Sequence, residues 1–457
     1  DVGIPLTAMA QQAPWSSALV VGLGATGFSC ARYLDRLGVE VTVVDSREQP
    51  PFAQHLQQEI PNVVVQLGTF DKQRFKEAEV LVLSPGISLA DPAIAGARDV
   101  GVEIVGDIEL FCRAVAQPVI GITGSNGKST VTILAEKLLT AAGVKVLTGG
   151  NIGRPALDLL SEKDPACYVL ELSSFQLETT SSLFAQVAAI LNISPDHMDR
   201  YPDLNAYVVA KTRIAASASM LVVSRDDLTL AALAASHSGE VVTFGLNCPP
   251  GGKDFGVIMR DRDEWLVRGD QELFPVANLR IQGRHNVANA LAAVAITEAI
   301  AGEMATAPLK VLQEFAGLPH RCEVVGDIRG VRWINDSKGT NVGATVAALE
   351  GMGRPVVLIA GGQAKQADFS PLARAAHRYA RQVVLFGEDR EHIGTRLSGT
   401  IPVTTVGTLV EAVTLSADWA QPGDVVLFSP ACASFDMFEN FEHRGNTFRE
   451  LVSGLGR

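Results

Sequence analysis

A glycine-rich run near residue 120 constrains the fold of this chain more than any other feature of its sequence. Residues 119–122 are apolar, Thr123 and the run Gly124-Ser-Asn-Gly-Lys-Ser-Thr130 follow, and a helix-like stretch comes after them. A strand, a glycine-rich turn and a helix in that order direct backbone N–H groups at a polyphosphate. We therefore expect a nucleoside triphosphate to bind here, at Gly124, Ser125, Asn126, Gly127, Lys128, Ser129 and Thr130.

The run is a shortened phosphate loop. The pattern G-x-x-x-x-G-K-[ST] would place its first glycine at position 122, where this chain has Ile122. The Lys128 ammonium can still reach the outer phosphates, and the Ser129 hydroxyl can join a magnesium shell. The alternative is a glycine-rich turn that binds no ligand.

The composition favours several α/β domains. Of the 457 residues, 47% are hydrophobic and only 6% are aromatic, which suits roughly two to four domains built on parallel sheets. A net charge of −12 without a basic stripe argues against a nucleic-acid partner. No apolar stretch reaches membrane-spanning length and no signal peptide is recognisable, so we expect a cytoplasmic protein with no membrane partner.

The six cysteines are scattered and form no C-x-x-C pair, which favours reduced thiols over disulfides or a metal site. Residues 1–8 precede Met9, and we expect them to be a cloning remnant outside the fold.

A dinucleotide-type pattern opens the chain after that segment. Strand-like residues 18–21 lead into Gly22-Leu-Gly-Ala-Thr-Gly27, a helix follows, and the next strand ends at Asp45. This order is the fingerprint of an NAD or FAD site. Two other interpretations stay open: a Rossmann-like half that holds another nucleotide, or a packing turn without ligand. Ser46 and Arg47 suit a uracil or a phosphate as readily as a ribose.

The second unit places polar residues at strand ends beside the phosphate loop. Glu171 ends one strand-like segment, and His197 follows another. The carboxyl ends of parallel strands meet at one edge of a sheet, so we expect both residues to surround one cavity with Lys128 and Ser129. A carboxylate in the position of Glu171 is where many NTPases hold magnesium. Singly, such residues are more often caps or solvated loop residues.

Three further residues of this unit have less decisive surroundings. By composition alone Lys211, within a helical run, reads as a surface lysine. Asn286 and Asn289 open an Ala-rich helix and are three residues apart, so they share a face and can pair with a nucleobase edge. The alternative for Asn286 is a helix N-cap. Two segments look like hairpin turns, residues 249–252 and 268–271.

A third unit begins near residue 318. Its predicted strands are residues 331–334, 355–359, 382–386 and 424–428. Three of the four lead into polar clusters that contain lysine or serine, where Rossmann-like proteins bind anionic ligands. A carboxylate or phosphate site is therefore favoured over ordinary solvation of the loops.

Taken together, these motifs resemble those of the Mur ligase family from about Val20 to the carboxyl terminus. Besides the phosphate loop, the resemblance rests on Gly149-Gly-Asn-Ile-Gly153, Glu171-Leu-Ser-Ser-Phe-Gln-Leu-Glu178, Asp196-His-Met-Asp-Arg-Tyr-Pro202, Leu318-Pro-His-Arg321, Asn335-Asp-Ser-Lys338 and Ser429-Pro-Ala-Cys-Ala-Ser434. The Asp-Asn-Pro-Arg motif of the family member that adds meso-diaminopimelate is absent from the sequence.

The resemblance implies an α/β fold with three domains. Residues 1–106 would form a Rossmann-like domain that binds a UDP-linked substrate. Residues 107–317 would form a central ATPase-type domain with a phosphate loop and extra β-hairpins. Residues 318–457 would form a Rossmann-like domain for the amino acid and ATP. The first fingerprint then belongs to a uridine nucleotide instead of NAD.

The resemblance also implies an activity for a monomeric enzyme. ATP would phosphorylate the carboxylate of UDP-N-acetylmuramoyl-L-alanine, and the amine of D-glutamate would attack the acyl phosphate, releasing phosphate beside ADP. Alignment and charge neutralisation would do most of the catalysis. The residues that the resemblance assigns to catalysis are Lys128, His197, Lys211 and Arg321.

The resemblance also assigns residues that would bind the metal ions, the nucleotide and the two substrates. Two Mg²⁺ ions would be bound by Ser129, Glu171, His197 and a carbamylated Lys211. The nucleotide, beyond the phosphate loop, would contact Asn286, Asn289, Arg321 and Asp336. The uridine and pyrophosphate would contact Thr26, Asp45, Ser46, Arg47 and Gly86. The muramoyl group would contact Asn151, and D-glutamate would lie among Lys338, Thr340, Lys365, Ser434 and Phe441.

Three rival functions remain compatible with parts of the pattern. A ligase similar to folylpolyglutamate synthetase would share the central domain but should lack the uridine domain. A dinucleotide-dependent dehydrogenase would use residues 22–27 and leave the Lys128 loop idle. A non-catalytic nucleotide switch would bind ATP and a protein partner.

Overall fold

The computed structural model describes residues 13–399 and 401–456, and the expected remnant at residues 1–8 lies outside them. The described chain forms three sheets of five, nine and six strands, each made from a successive part of the sequence. Most neighbouring strands are parallel and are joined by helices, which confirms the predicted α/β fold with three domains.

The first sheet is entirely parallel, in the order β3-β2-β1-β4-β5. Its strands are β1 (Ser17–Val21), β2 (Glu40–Asp45), β3 (Val64–Leu67), β4 (Val80–Leu83) and β5 (Glu103–Val105). The helices around it are α1 (Ala25–Arg36), α2 (Ala53–Glu59), α3 (Lys72–Glu77), α4 (Pro92–Asp99) and α5 (Asp107–Ala114). The strand order reverses between β1 and β4, which opens a crevice for a ligand at their carboxyl ends.

The second sheet has the order β14-β13-β12-β11-β10-β9-β6-β8-β7. Its strands are β6 (Val119–Thr123), β7 (Val146–Gly150), β8 (Cys167–Glu171), β9 (Val187–Ile190), β10 (Met220–Ser224), β11 (Glu240–Phe244), β12 (Phe255–Arg260), β13 (Asp263–Arg268) and β14 (Gln271–Pro275). The α-helices are α6 (Lys128–Ala141), α7 (Ala156–Leu159), α8 (Ser174–Glu178), α9 (Leu204–Thr212), α10 (Leu228–Ser236), α11 (Arg284–Ala301), α12 (Thr306–Leu309) and α13 (Val311–Glu314). Short 3-10 helices span Arg213–Ala215 and Val276–Asn278.

Burial explains why the phosphate loop is rigidly placed. All five residues of β6 are buried, with β8 and β9 paired on either side of the strand. Helices α6 and α11 pack against each other over this part of the sheet. The alanines of α11, including Ala290, Ala292 and Ala293, are fully buried, and their small side chains let the helix approach closely. The loop between β6 and α6 is therefore held from both ends.

The hairpin predictions were half right. Strands β13 and β14 are antiparallel with Arg268 opposite Gln271, as predicted. The turn at residues 249–252 is wrong as a hairpin, because β11 and β12 pair in parallel through Phe244 and Phe255. A hairpin between β12 and β13 went unpredicted, since its turn uses Asp261 and Arg262 at φ of 49° and 75° instead of glycine.

The third sheet has the order β15-β16-β20-β17-β18-β19, in which only the β15–β16 pair is antiparallel. Its strands are β15 (Glu323–Ile328), β16 (Val331–Asn335), β17 (Val356–Gly361), β18 (Ala380–Phe386), β19 (Val403–Thr405) and β20 (Val425–Phe428). The helices are α14 (Val342–Gly351), α15 (Ser370–Tyr379), α16 (Arg390–Leu397), α17 (Leu409–Trp419) and α18 (Phe441–Leu455). The four predicted strands are all present, and the two edge strands were not predicted.

Within residues 13–399 and 401–456, no helix is both long and apolar enough to cross a bilayer. All six cysteines lie in the described part of the chain, and each carries a free thiol.

Candidate active site

The phosphate loop lies between the end of β6 and the start of α6. Gly127 precedes the helix with φ of 83°, a left-handed conformation that favours glycine. A Cβ atom at this position would lie 2.6 Å from Asn289 Oδ1, so space as well as conformation requires glycine. Asn289, from α11, therefore abuts the loop directly.

Two lysines point at the same carbonyl oxygen of this loop. Lys128 Nζ donates to Gly124 O at 2.8 Å, and Lys211 Nζ donates to it at 2.9 Å. Lys211 is only 2% exposed, so the surface interpretation from composition is wrong. Burial, and then the charge of Lys128, hold the pKa of Lys211 well below its usual range. Burial also lowers the pKa of Lys128.

Ser129, Glu171 and Asn151 form a hydrogen-bonded chain beside the loop. Ser129 Oγ donates to Glu171 Oε2 at 2.8 Å, and Asn151 Nδ2 donates to Glu171 Oε1 at 3.1 Å. Glu171 ends β8, which pairs with β6, so the predicted meeting of strand ends is present. The glutamate is 2% exposed and has no arginine or lysine in ion-pair contact within the described chain.

His197 lies in the loop after β9, next to Asp196. Its backbone has φ of 55°, and its ring centroid is 4.7 Å from that of Phe175. Burial lowers the pKa of His197 to about 4, although the Asp196 carboxylate opposes the shift. The imidazole is therefore neutral near pH 7 and can offer a nitrogen lone pair to an electrophile.

Asp196 joins the second domain to the third. Its Oδ1 accepts from Lys365 Nζ at 2.6 Å, and its Oδ2 accepts from Asn341 Nδ2 at 3.2 Å. Asn341 Nδ2 also donates to Asn126 Oδ1 in the phosphate loop at 2.9 Å. Burial raises the pKa of Asp196, but the Lys365 charge and other partners outweigh it and leave the pKa lowered. Sequence reasoning assigned no role to Asp196 or Asn341, because their partners lie in loops that are far away in the sequence.

Arg321 and Asp336 approach the loop from the third domain. Burial lowers the pKa of the Arg321 guanidinium, while Glu171 and Asp336 oppose the shift by attraction. Asp336 Oδ2 accepts from Ser429 Oγ at 2.7 Å, and its Oδ1 accepts from the Cys322 N–H at 3.1 Å. Burial raises the pKa of Asp336 to about 6 despite these bonds.

The two asparagines of α11 face each other as the spacing predicted. Asn289 Nδ2 donates to Asn286 Oδ1 at 3.1 Å, and Asn286 Nδ2 donates to Gln282 O at 2.8 Å. The alternative of an Asn286 N-cap is wrong, because Gly283 occupies the cap position. Both amides therefore remain beside the loop, as a nucleotide contact requires.

The polar strand ends of the third domain gather around a second basic residue. Lys338 Nζ lies 4.0 Å from the centroid of the Phe441 ring, and burial lowers the pKa of Lys338 to about 8. Ser434 is 2% exposed, and the Thr340 N–H donates to Lys338 O at 2.8 Å. Lys338, Thr340 and Phe441 thus lie together, Ser434 is buried in the loop after β20, and Lys365 contacts Asp196.

The first domain contains a cavity of about 510 Å³ at the crevice between β1 and β4. Its lining includes every residue predicted for the uridine end: Thr26, Asp45, Ser46, Arg47 and Gly86. The Asp45 carboxylate accepts from the Leu23 N–H at 2.8 Å and from Arg47 Nη2 at 2.7 Å. Burial raises the pKa of Asp45, but these bonds outweigh it, so the carboxylate stays ionised.

Ser84 is a further residue of this cavity that the sequence did not single out. Its Oγ is buried and has no hydrogen-bond partner among the described residues. The same atom lies 2.6 Å from the position that a Gly22 Cβ would occupy, so the first fingerprint glycine is needed for its packing. A buried hydroxyl without a partner is costly, and a bound polar ligand would satisfy it.

The described chain contains no group of three His, Cys, Asp or Glu side chains arranged to hold a metal ion. The predicted metal set is of another kind, because Ser129 and the carbamylated Lys211 are not among these residue types and only Glu171 and His197 are. The 2.8 Å contact between Ser129 and Glu171 offers two adjacent oxygen ligands, the type that Mg²⁺ prefers.

Three domain models of one family match the chain in succession. The Mur ligase MurD-like N-terminal domain matches residues 16–106, the Mur ligase middle domain matches residues 122–297, and the Mur ligase glutamate ligase domain matches residues 320–432. These matches cover well over half of the sequence and follow the three sheets. The chain belongs to the Mur ligase family.

Curated relatives match nearly the full length. The UDP-N-acetylmuramoylalanine--D-glutamate ligase of Nitrosococcus oceani is 51% identical over 440 residues, which are 96% of each chain. The enzyme of the same name from Methylobacillus flagellatus is 48% identical, again over 96% of each chain.

Solved structures of the family show the same fold. The UDP-N-acetylmuramate-alanine ligase of Thermotoga maritima superimposes with a TM-score of 0.61 at 19% identity, covering 96% of this chain and 99% of that one. The MurF ligase of Thermotoga maritima, solved in complex with ADP, has a TM-score of 0.59 at 15% identity and covers 98% and 100%. At these identities the likeness concerns the fold alone.

Proposed function

We propose that this chain is an ATP-dependent ligase that joins D-glutamate to UDP-N-acetylmuramoyl-L-alanine in peptidoglycan synthesis. The observation that carries the proposal is the presence of three distinct sites, one in each domain. A nucleotide-type crevice, a phosphate loop and a lysine-rich loop cluster suit the UDP-linked substrate, ATP and an acidic amino acid in turn. The names of relatives about half identical to this chain support this choice of substrates.

The proposed reaction brings two anions together. The substrate carboxylate attacks the γ-phosphorus of ATP, and the β,γ bond breaks to release ADP. The amine of D-glutamate then attacks the acyl carbon, loses a proton, and phosphate leaves. The main requirement is alignment of the carboxylate and the γ-phosphate, together with compensation of their charge.

The cations of the site meet that requirement. Lys128 and Lys338 have lowered pKa values because each is buried and because Arg321 repels them both. Mutually repelling cations in a chain of net charge −12 form a local positive field that an anionic ligand relieves. We assign Lys128 and Arg321 to the phosphates of ATP, and Lys338 and Lys365 to the carboxylates of D-glutamate.

We further propose that the enzyme uses Mg²⁺. Ser129 and Glu171 would hold an ion that compensates charge on the β- and γ-phosphates when it is bound. A second ion would need His197 and Lys211, and the bare Lys211 ammonium would repel it. Carbamylation replaces this ammonium with an anionic group, and the depressed pKa of Lys211 favours the neutral amine that reacts with CO₂.

The remaining assignments follow the same pattern of contacts. The nucleotide would lie on residues 124–130 and contact Asn286, Asn289 and Asp336. Asn151 would orient the muramoyl group, and the five residues of the first cavity would hold uridine and pyrophosphate. We propose domain boundaries after residues 106 and 317, and a cytoplasmic location. We also propose that the enzyme is a monomer, which light scattering of the purified enzyme can test.

Product analysis tests the proposed function. The enzyme is incubated with ATP, Mg²⁺ and UDP-N-acetylmuramoyl-L-alanine, and is offered D-Glu, L-Glu, L-Ala or meso-diaminopimelate in separate reactions. We expect ADP release and a product heavier by one glutamyl residue with D-Glu alone. Phosphate release that does not depend on the amino acid, or a product with another amino acid, would contradict the proposal.

A further inference from the structure

Arg200 connects the first domain to the second. Its Nη1 donates to Pro85 O at 2.5 Å, and its Nη2 donates to Ile87 O at 3.3 Å. Both carbonyls belong to the loop after β4. Nη2 also donates to Glu178 Oε2 at 3.0 Å, at the end of α8 in the second domain. The Arg200 side chain is only 13% exposed, so its charge is balanced within the protein by the Glu178 carboxylate.

The loop that Arg200 binds is part of the uridine-type cavity. Residues 84–87 line that cavity, and Gly86 and Ile87 also line a neighbouring cavity of about 690 Å³. The two carbonyls that accept from Arg200 flank Gly86, the most exposed residue of the turn. The guanidinium therefore fixes the turn from behind and leaves its outer face free for a ligand.

On its other side, Arg200 packs against the residues around His197. The guanidinium carbon lies 3.7 Å from the centroid of the Phe175 ring, a close cation–π contact. The Phe175 ring also contacts the His197 ring, at 4.7 Å between centroids. The backbone N–H of Arg200 also donates to the backbone carbonyl of His197 at 2.9 Å, which closes a tight turn. One side chain thus contacts the substrate loop and the support of His197 simultaneously.

We propose that Arg200 is a positioning residue that fixes the distance between the uridine-substrate loop of the first domain and the γ-phosphate region beside His197. The inference rests on the proposed function and extends it to a residue outside the substrate contacts. In-line transfer tolerates little error in alignment, and a displacement of about 1 Å can cost on the order of 100-fold in rate. A rigid link between the domain that holds the carboxylate and the loop that holds the phosphate supplies that alignment.

Arginine suits this link better than lysine does. Its planar fork donates to two carbonyls and one carboxylate while its face stacks on an aromatic ring. A lysine ammonium has no plane to stack and cannot reach three separated acceptors. Arg200→Lys therefore keeps the positive charge but loses most of the hydrogen bonds and the stacking on Phe175. Arg200→Met keeps the apolar packing of the side chain and loses both the charge and the hydrogen bonds.

Arg225 provides a matched control. Its Nη1 donates to Phe255 O at 2.7 Å and its Nη2 donates to Asn247 O at 2.9 Å, so it too binds two main-chain carbonyls. Its side-chain partners, Thr243, Asn247 and Phe255, all lie within the second domain. Arg225→Met removes a comparable set of bonds without touching the link between domains.

The test separates turnover from binding. The wild-type enzyme, Arg200→Met, Arg200→Lys and Arg225→Met are compared in kcat, in the Kd of UDP-N-acetylmuramoyl-L-alanine by calorimetry, and in the Kd of ADP. We expect Arg200→Met to lower kcat at least 10-fold while both Kd values change less than 3-fold. Arg200→Lys should fall between this variant and the wild type, and Arg225→Met should retain the wild-type kcat.

Other outcomes would overturn the inference. A kcat of Arg200→Met within 2-fold of the wild type would show that the link does not position the substrate, as would an equal loss in Arg225→Met. A rise in the Kd of the UDP-linked substrate that matches the loss of kcat would assign Arg200 to binding instead. If Arg200→Met does not fold, the same criteria apply to Arg200→Lys, with at least a 3-fold loss of kcat expected. Failure of the proposed function is recognised separately, because the wild-type enzyme would then form no product.

Discussion

Replacement of Asp107 by asparagine should stabilise the protein at alkaline pH and leave it nearly unchanged in acid. Asp107 begins α5, the connection between the first and second sheets, and is 1% exposed. Neither carboxylate oxygen has a hydrogen-bond partner of ordinary geometry among the described residues. Burial raises the pKa of Asp107 from 3.8 to about 6, although nearby N–H groups of the helix start and Gln176 oppose the shift.

The sign and size of the effect follow from this shift. The folded state binds the proton more tightly than the unfolded state does, so this contribution to stability is complete below pH about 4 and is lost as the pH rises through about 6. A difference of about two pK units corresponds to about 3 kcal/mol in the free energy of unfolding. Because the amide of asparagine stays neutral, Asp107→Asn avoids that loss, and about 3 kcal/mol is the upper limit of its gain.

Thermal unfolding at several pH values measures the effect. A gain of this size should raise the Tm of the variant at pH 8 by roughly 5 to 10 °C over the wild type, and the difference should shrink towards pH 4.5. Asp99→Asn removes an exposed carboxylate at the end of α4 and controls for the change in net charge. A Tm difference for Asp107→Asn that is the same at pH 4.5 and pH 8, or that turns negative at pH 8, would show that ionised Asp107 does not destabilise the folded protein.

Four further predictions concern the active site. Lys128→Ala and Glu171→Ala should each lower kcat by at least about 100-fold with an unchanged Tm, since the first removes a cation beside the phosphates and the second removes a carboxylate that would hold Mg²⁺; near-normal phosphate release by either variant contradicts the ATP assignment. Lys211→Ala should lower kcat far more than it raises the KM of the UDP-linked substrate, and the absence of a carbamate carbon signal in ¹³C NMR spectra of the active enzyme in ¹³C-bicarbonate buffer would contradict carbamylation of Lys211. The KM for D-glutamate should rise as the pH passes about 8, where Lys338 loses its proton, and Lys338→Gln should abolish that rise. Small-angle scattering should give a smaller radius of gyration with all ligands than without them, because ligands that contact both domains add to the bonds of Asp196 with Lys365 and Asn341 between the second and third domains; equal radii would argue against closure.

Much of the site could be predicted because strand ends in parallel sheets meet by geometry. Glu171 ends a strand that pairs directly with β6, so its contact with Ser129 follows from the order of the strands. The first cavity is similar, since the reversal of strand order between β1 and β4 fixes where Thr26 and Gly86 converge. In both cases a local pattern and one topological rule are sufficient.

The contacts that escaped prediction depend on tertiary structure. Asp196 binds Lys365 across 169 residues of sequence, and no local pattern specifies that pair. Lys211 resembled a surface lysine because the helix around it has no clear polar face, yet it is 2% exposed. The turn at Asp261 and Arg262 was missed because these two residues adopt a positive φ, which in a sequence is usually signalled by glycine.

Transfer of oxygen from the substrate to phosphate shows whether the substrate carboxylate or water attacks the γ-phosphorus of ATP. UDP-N-acetylmuramoyl-L-alanine labelled with ¹⁸O in its terminal carboxylate is converted with ATP and D-glutamate, and the released phosphate is analysed by mass spectrometry. If the carboxylate attacks the γ-phosphorus, one ¹⁸O atom accompanies the phosphate when the amine displaces it, and the amide keeps the other oxygen. We expect one labelled oxygen in each phosphate released. Phosphate without the label would show that water cleaves ATP, and would contradict an acyl-phosphate intermediate.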